Sequence, residues 1–130
     1  MRAFTGVLGS DRLDAGVLLI GRAKLLSHDD PRMTSTIDTI EERLVEDGLV
    51  HRWEHHEEGA FLPASFWLAE AHARAGRRDR AEEVFARACA CANDVGLLPE
   101  EADPSTGEAL GNLPQGLSHV ALVNAADALR

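Results

Sequence analysis

The stretch PASFWLAEAHARAG (Pro63–Gly76) decides the fold class, because it has the pattern of a helix that is apolar around almost its whole circumference. Proline fits the first turn of a helix, where no amide hydrogen bond is lost, and glycine commonly ends a helix in the left-handed conformation. A helix without a polar face needs neighbours on several sides. We therefore predict that Pro63–Ala75 is an inner helix of a layered domain.

The helices on either side of this stretch are predicted to carry charge on one side only. A second helix starts at Asp30-Pro31, a side-chain cap followed by proline, and ends at Asp47-Gly48. Its apolar stripe advances in steps of four, three and four residues, through Met33, Ile37, Ile40 and Leu44. A fourth helix starts at Asp79, with Glu82 three residues later in the capping-box arrangement. Such one-sided helices are typical of an outer layer.

Two more helices complete the expected set, and both are apolar nearly all round. The first covers about Asp11–Leu26, and the fifth runs from Pro114 to the C-terminus. Residues 49–62 are the least regular, and a short hairpin around Glu57-Glu58-Gly59 is one form they could take. Short connections make successive helices antiparallel and alternate helices parallel. We expect one all-α domain over residues 1–130, with about five helices in antiparallel hairpins and separate inner and outer layers.

Composition excludes several classes of protein. The 130 residues are 45% hydrophobic, enough for one core, and the formal net charge of -9 repels nucleic acid. The apolar run Ala15–Ile20 is too short to span a bilayer. Cys89 and Cys91 lie two apart on a predicted helix, so their side chains diverge and cannot easily bridge. We expect a cytoplasmic protein without a membrane or nucleic-acid partner.

The loop GLLPEEADPSTGEALGN (Gly96–Asn112) holds the most unusual polar feature, the adjacent carboxylates of Glu100 and Glu101. If the odd-numbered helices are inner and parallel, the segments that enter them should gather at one rim. Those segments are Gly9–Asp14, Gly59–Pro63 and this loop. Helix N-termini favour nearby anions. The acidic pair is therefore expected to point into the rim.

Four separated stretches resemble the C-terminal portion of the catalytic domain in glycoside hydrolase family 15, the family of glucoamylases and related trehalases, and Gly9–Ala15 fits an earlier segment of the same proteins. The resemblance covers essentially the whole chain in order. The five stretches are GSDRLDA (Gly9–Ala15), GAFLPASFWL (Gly59–Leu68), NDVGLLPEE (Asn93–Glu101), DPSTGE (Asp103–Glu108) and LGNLPQGLSH (Leu110–His119).

The resemblance implies an (α/α)6 toroid and the inverting hydrolysis of α-glucosidic bonds, in an α-glucan or in trehalose, without a cofactor or metal. This chemistry uses one carboxylic acid to protonate the leaving oxygen and one carboxylate to activate water. By resemblance, Glu100 is the general base and Glu101 supports it. Trp67 and His119 are weaker candidates for the sugar-binding rim. Core packing of Trp67 and an interior position for His119 remain open alternatives.

The chain also departs from the family pattern. Ala102 follows the acidic pair where the family usually has an aromatic residue, which predicts a reduced sugar-facing wall. No segment rich in Trp, Glu and Arg supplies the general acid, and five helices cannot close a ring of twelve. We therefore expect an incomplete toroid that is inactive alone. Its first and fifth helices would leave apolar surface for a companion chain or for self-association.

Two other interpretations use different parts of the sequence. Phe66–Asn93 resembles one tetratricopeptide hairpin, which predicts a non-enzymatic interaction module; such hairpins need about three stacked copies. The cluster HRWEHHEE (His51–Glu58) invites a metal-site hypothesis. Its spacing matches no recognised ligand pattern, so we favour a polar surface loop.

Overall fold

The computed structural model describes residues 3–54 and 58–130 as an arc of helical hairpins. A 3₁₀ turn at Ala15–Leu18 leads into the short α1 (Leu19–Arg22). The longer helices are α2 (Pro31–Leu44), α3 (Leu62–Arg74), α4 (Arg78–Cys89) and α5 (Gly116–Ala128). Five two-residue strands join them: β1 (Val45–Glu46), β2 (Leu49–Val50), β3 (Ala60–Phe61), β4 (Glu101–Ala102) and β5 (Ala109–Leu110). The mostly helical class is confirmed.

Helix α3 is the central element, as its sequence predicts. Every residue from Leu62 to His72 is buried. It packs against α4 on one side and α5 on the other. The fully buried Phe66 meets Phe85 of α4 edge to face, with 5.7 Å between ring centroids. Burying a phenylalanine side chain stabilises a fold by about 1.5–3 kcal/mol, so this contact fastens the outer helix to the inner one.

The outer helix α2 follows its predicted pattern at the start and along its stripe. The Asp30 carboxylate accepts a hydrogen bond from the Arg32 amide at 2.9 Å, which caps the first turn. The stripe residues are all buried: Met33, Ile37, Ile40 and Leu44. The helix ends at Leu44, three residues before the predicted stop, because the chain turns at Asp47-Gly48 to pair β1 with β2.

The predicted capping box of α4 is wrong. The helix begins at Arg78 after Arg77, whose side chain makes no capping bond. Asp79 lies inside the first turn, and Glu82 instead pairs with Arg78 at 2.8 Å. The Arg77 guanidinium binds Asp38 of α2, so an ion pair to the neighbouring helix holds this turn. The predicted left-handed stop after α3 is confirmed, since Gly76 has φ 79°.

The first and fifth helices are shorter than predicted. The first is confined to residues 15–22 because the Asp14 side chain accepts from the Gly16 amide at 2.7 Å and starts the turn there. The fifth begins at Gly116, since the Gln115 side chain accepts from the Leu117 amide and caps it. The suggested hairpin around residues 57–59 includes Glu57, which lies outside the described residues.

A small antiparallel sheet lies where the chain enters α3. Strand β4 pairs with both β3 and β5, which sets Glu101 opposite Phe61 and Leu110, and Ala102 opposite Ala60. Residues directly opposite each other project from the same face of a sheet. Ala60 and Ala102 are fully buried, so one face packs on the core. Glu101 and Phe61 share the other face.

A network of charged and titratable side chains joins α2, α3 and α4. Glu41 of α2 lies 3.1 Å from His72 Nε2 of α3 and also pairs with Arg80 of α4. His72 is 1% exposed, and neither ring nitrogen has a well-aligned hydrogen-bond partner among the described residues. Burial lowers the pKa of His72 from 6.5, with Glu41 opposing that shift and Arg77 and Arg80 adding to it.

Candidate active site

The segment that holds Glu100 is fixed to the head of the central helix and to the loop before α5. The Leu62 amide, at the start of α3, donates to the Glu100 carbonyl oxygen at 3.0 Å. The Glu100 amide in turn donates to the Asn112 carbonyl oxygen at 2.8 Å. These bonds fix the Glu100 backbone to the first residue of α3 and to the loop before α5.

The residues before Glu100 are bound to the first turn of α5 by three more hydrogen bonds. The Gln115 amide donates to the Leu98 carbonyl oxygen at 2.9 Å, and the Ser118 hydroxyl donates to the Pro99 carbonyl oxygen at 2.7 Å. The Leu98 amide donates to His119 Nε2 at 3.1 Å. We call Leu98, Pro99, Gln115, Ser118 and His119 the loop latch. Ser118, Leu98 and Pro99 are buried, so water competes little for these bonds.

The Glu100 carboxylate has one oxygen engaged by the backbone. The Asn112 amide donates to Oε2 at 3.0 Å. Gly111, with φ 68°, lies against the same side chain, and a Cβ at this position would be 3.0 Å from Oε2 and 3.3 Å from the Glu100 Cβ. Oε1 makes no hydrogen bond to the part of the chain that the structure describes. The side chain is therefore aimed by the backbone, with one oxygen able to accept from water.

A line of aromatic and charged side chains continues the site from Glu101. Phe61, opposite Glu101, lies 5.7 Å from the Arg52 guanidinium, which is also 5.4 Å from the Trp53 ring. Arg52 is held by Asp14, with 2.6 Å between Nε and Oδ1. The three segments predicted to gather at one rim therefore do meet. The sequence analysis did not single out Arg52 or Phe61. Arg52 precedes Trp53, and Phe61 lies in the predicted rim segment Gly59–Pro63.

The structure separates the two weaker candidates. Trp67 is 8% exposed and meets Phe61 edge to face, with 5.8 Å between ring centroids, so it packs in the core beneath the rim. His119 is half-buried, and its Nε2 is occupied by the Leu98 amide. Each contacts the site through other residues. Their direct contact with sugar remains a prediction.

The expectation that Ala102 reduces a sugar-facing wall is not supported. Ala102 is fully buried on the core side of the small sheet, and its carbonyl oxygen packs against Gly59. An aromatic residue, Phe61, is instead paired with Glu101 on the opposite face of the sheet. Only the pairing register, which single-sequence reasoning did not give, distinguishes these faces.

The described members of the 51–58 cluster are engaged in protein contacts. His51 is buried and lies 2.8 Å from Glu46, and Glu54 pairs with Arg43 at 2.6 Å. His55, His56 and Glu57 lie outside the described residues. Within residues 3–54 and 58–130, no group of three His, Cys, Asp or Glu side chains is arranged to hold a metal ion.

The amino-acid sequence is similar to a glycoside hydrolase family and to known trehalases. The sequence model of Glycosyl hydrolases family 15 matches residues 75–127. The chain is 40% identical to a trehalase of Mycobacterium tuberculosis over 94% of its own length and 19% of the trehalase. It is 33% identical to a trehalase of Thermoplasma volcanium, over 98% of this chain and 21% of that protein.

Solved structures agree on the fold. A wild-type glycosidase superposes with a TM-score of 0.88 at 23% identity, covering 98% of this chain and 38% of that one. A variant glycosidase in complex with glucose superposes with a TM-score of 0.87 at 23% identity, with the same coverage. The hairpin arc is therefore part of an (α/α)6-type glycosidase fold.

The fold is that of part of a helical toroid, as in the glycosidases on which the chain superposes. In sequence, the chain is similar to Glycosyl hydrolases family 15 over residues 75–127 and to trehalases over most of its length. It spans about a fifth of the length of the curated trehalases that it matches. None of the described helices has the length and apolar character needed to cross a bilayer.

Proposed function

We propose that this chain supplies the general base of an inverting α-glucoside hydrolase, and that the base is Glu100. The observation that supports this most strongly is the backbone frame around the side chain. Glu100 is bonded to the head of α3 and to Asn112, and the loop latch holds the residues before it on α5. A surface carboxylate with only a structural role needs no such frame on both sides.

The proposed reaction uses Glu100 Oε1, the carboxylate oxygen that makes no hydrogen bond to the described residues. Oε1 would accept a proton from a water molecule as that water attacks the anomeric carbon, while a second carboxylic acid protonates the leaving oxygen from the opposite face. An inverting pair leaves about 6.5–9.5 Å between the two carboxyl groups for this water. Glu101, on the Phe61 face of the small sheet, would support the site rather than transfer the proton. No cofactor takes part.

The proposed substrate is trehalose or the end of an α-glucan. The relatives named as trehalases favour trehalose, and a similar glycosidase is described in complex with glucose. The rim offers an arginine 5.4 Å and 5.7 Å from two aromatic ring centres, and such a group is a suitable neighbour for a hydroxyl-rich sugar ring. The unpaired thiols of Cys89 and Cys91 fit a reducing cytoplasm.

The second carboxylic acid would come from residues other than these 130, so we propose that the chain by itself does not hydrolyse glucosides. An apolar groove of about 340 Å³ lies between α1, α3 and α5, lined by Trp67 and Leu117 among others. Val120 and Val123 of α5 are 57% and 62% exposed. We propose that further inner helices, on a companion chain or in a second copy, cover this surface. Apolar patches of this kind mark interfaces.

The test combines reconstitution with one conservative substitution. The chain is incubated with trehalose, maltose and soluble starch, alone and with a protein that carries the remaining part of a family 15 toroid. We expect glucose release only in the mixture, and Glu100→Gln should lower it about 10²–10⁴-fold, the usual contribution of a general base. The amide retains an acceptor for the Asn112 N–H, so its melting temperature should match the parent chain.

Glu108→Gln is the matched control, because Glu108 is exposed in the same loop. An active mixture whose rate is unaffected by Glu100→Gln would refute the base assignment. Binding of peptides or proteins to the groove, without glucose release in any mixture, would favour the alternative of a helical interaction module.

A further inference from the structure

A second cavity, of about 430 Å³, lies between the ends of α1 and α3. Arg22 and Arg74, which line it, belong to the last turns of those helices. The residue types are mostly polar or charged, unlike those of the apolar groove. The lining consists of Gly21, Arg22, Lys24, Leu26, Ser27, His28, Glu70 and Arg74.

The cavity is built around a buried carboxylate. Glu70 is 3% exposed, and its two oxygens accept from Arg22 Nη1 at 2.8 Å and from Arg74 Nε at 2.9 Å. A guanidinium has five N–H donors, so each arginine keeps several that are not used by Glu70. The arginine side chains are 39% and 41% exposed, which leaves those donors accessible.

The charges of the lining do not balance. Arg22, Lys24 and Arg74 are cationic, whereas Glu70 is the one carboxylate among the lining residues. Lys24 has no side-chain hydrogen bond or ion pair to the described part of the protein. A cavity with an excess of two positive charges stands out on a chain whose formal net charge is -9.

One wall of the cavity is formed by His28. A Cβ at Gly21 would lie 2.6 Å from His28 Nε2, so the ring rests on α1 at a place where only glycine leaves room. Burial lowers the pKa of His28 from 6.5, and the Arg74 charge lowers it further, while Glu70 and Asp29 oppose the shift. The ring is therefore mainly neutral at pH 7 and adds no fourth positive charge to the cavity lining.

We propose that this cavity binds a small doubly charged oxyanion of the phosphate type, held by Lys24 and by the free N–H groups of Arg22 and Arg74. Glu70 fixes the two guanidinium planes in advance, which lowers the ordering cost of binding. Planar guanidinium groups match phosphate oxygens with paired hydrogen bonds, and lysine adds a point charge. This proposal does not depend on the glycosidase function.

The probe is inorganic phosphate, added to the ¹⁵N-labelled chain at constant ionic strength with chloride as the replacement anion. We expect saturable amide shifts confined to residues 21–28 and 70–74. Lys24→Gln should weaken the affinity for phosphate about tenfold, equivalent to about 1.4 kcal/mol of binding free energy. Arg12→Gln removes one positive charge from an exposed side chain elsewhere and should change the affinity less than twofold.

Two further measurements sharpen the test. Lys24 is the one lysine of the sequence, so acetylation of its amine, read by mass spectrometry of the peptide, should be slowed by phosphate but not by chloride. A pH titration of the His28 imidazole resonances should have its midpoint at higher pH in phosphate than in chloride, because the bound anion favours protonated His28. Equal weakening by both variants, or shifts spread over the surface, would show ionic screening only and would overturn the proposal.

Discussion

Substituting alanine for Gly111 should disturb Glu100 in a way that an equivalent glycine elsewhere in the loop does not. Gly111 has φ 68° and Gly107 has φ 75°, a region where a Cβ costs about 1–2 kcal/mol per residue. The surroundings differ. A Cβ at Gly107 has no neighbour within 4 Å among the described atoms, whereas a Cβ at Gly111 lies 3.0 Å from Glu100 Oε2 and 3.3 Å from its Cβ.

The two variants therefore share the backbone strain and differ in the contact with Glu100. We expect Gly107→Ala to lower the free energy of unfolding by about 1–2 kcal/mol. Gly111→Ala should lower the free energy of unfolding by that amount and by about 1 kcal/mol more. The Glu100 carboxylate must move away from the Asn112 amide, which weakens a charge-assisted hydrogen bond.

Urea denaturation of the 130-residue chain, followed by circular dichroism, gives the two free energies, and amide NMR reports the Asn112 hydrogen bond directly. The Asn112 resonance should move upfield in Gly111→Ala and stay in place in Gly107→Ala. Equal destabilisation, together with an unchanged Asn112 resonance in both variants, would refute the described packing of Gly111 against Glu100.

Three further predictions concern stability. The folded-state pKa of His72 lies below 6.5, so the unfolded chain takes up the proton first as the pH falls. The free energy of unfolding should therefore decrease as the pH drops through 6.5. Urea midpoints between pH 7.5 and 5.5 should show this decrease, and the profile of His72→Gln should be flatter. Phe66→Ala removes a fully buried ring and should cost about 3–5 kcal/mol, measured by the urea midpoint against wild type. Ser118→Ala leaves the Pro99 carbonyl oxygen without its donor and should lower the free energy of unfolding by about 1–3 kcal/mol. Hydrogen exchange at the Leu98 amide should be faster in Ser118→Ala than in Ser105→Ala, the control at an exposed site.

The layered fold could be predicted where hydrophobic spacing was decisive. The apolar circumference of α3 and the stripe of α2 both gave the observed burial. Helix boundaries were less predictable, because they depend on contacts from distant residues. Asp79 has the sequence of a cap, yet α4 begins one residue before it, after Arg77, which pairs with Asp38 of α2.

The gathering of the three rim segments was predictable, whereas the hydrogen bonds that build the candidate site were not. The placement of the acidic pair at a rim followed from counting antiparallel helices, and the structure brings the three expected segments together there. The loop latch could not be predicted, because its partners are more than 15 residues apart and include backbone carbonyl groups. The position of Arg52 near the Trp53 and Phe61 rings could not be predicted either, because Asp14, which holds its guanidinium, lies 38 residues away in the sequence.

The hydrogen bonds that orient Glu100 all come from one continuous stretch, from Leu62 to His119. The outer helix α2 and the short α1 contribute none of them. Substitutions in those two helices should therefore leave the orientation of the Glu100 carboxylate unchanged. A single substitution near Asn112 or Ser118 should change that orientation directly. We expect a library of random variants, sorted for an ordered loop, to accept far more substitutions before residue 62 than after it.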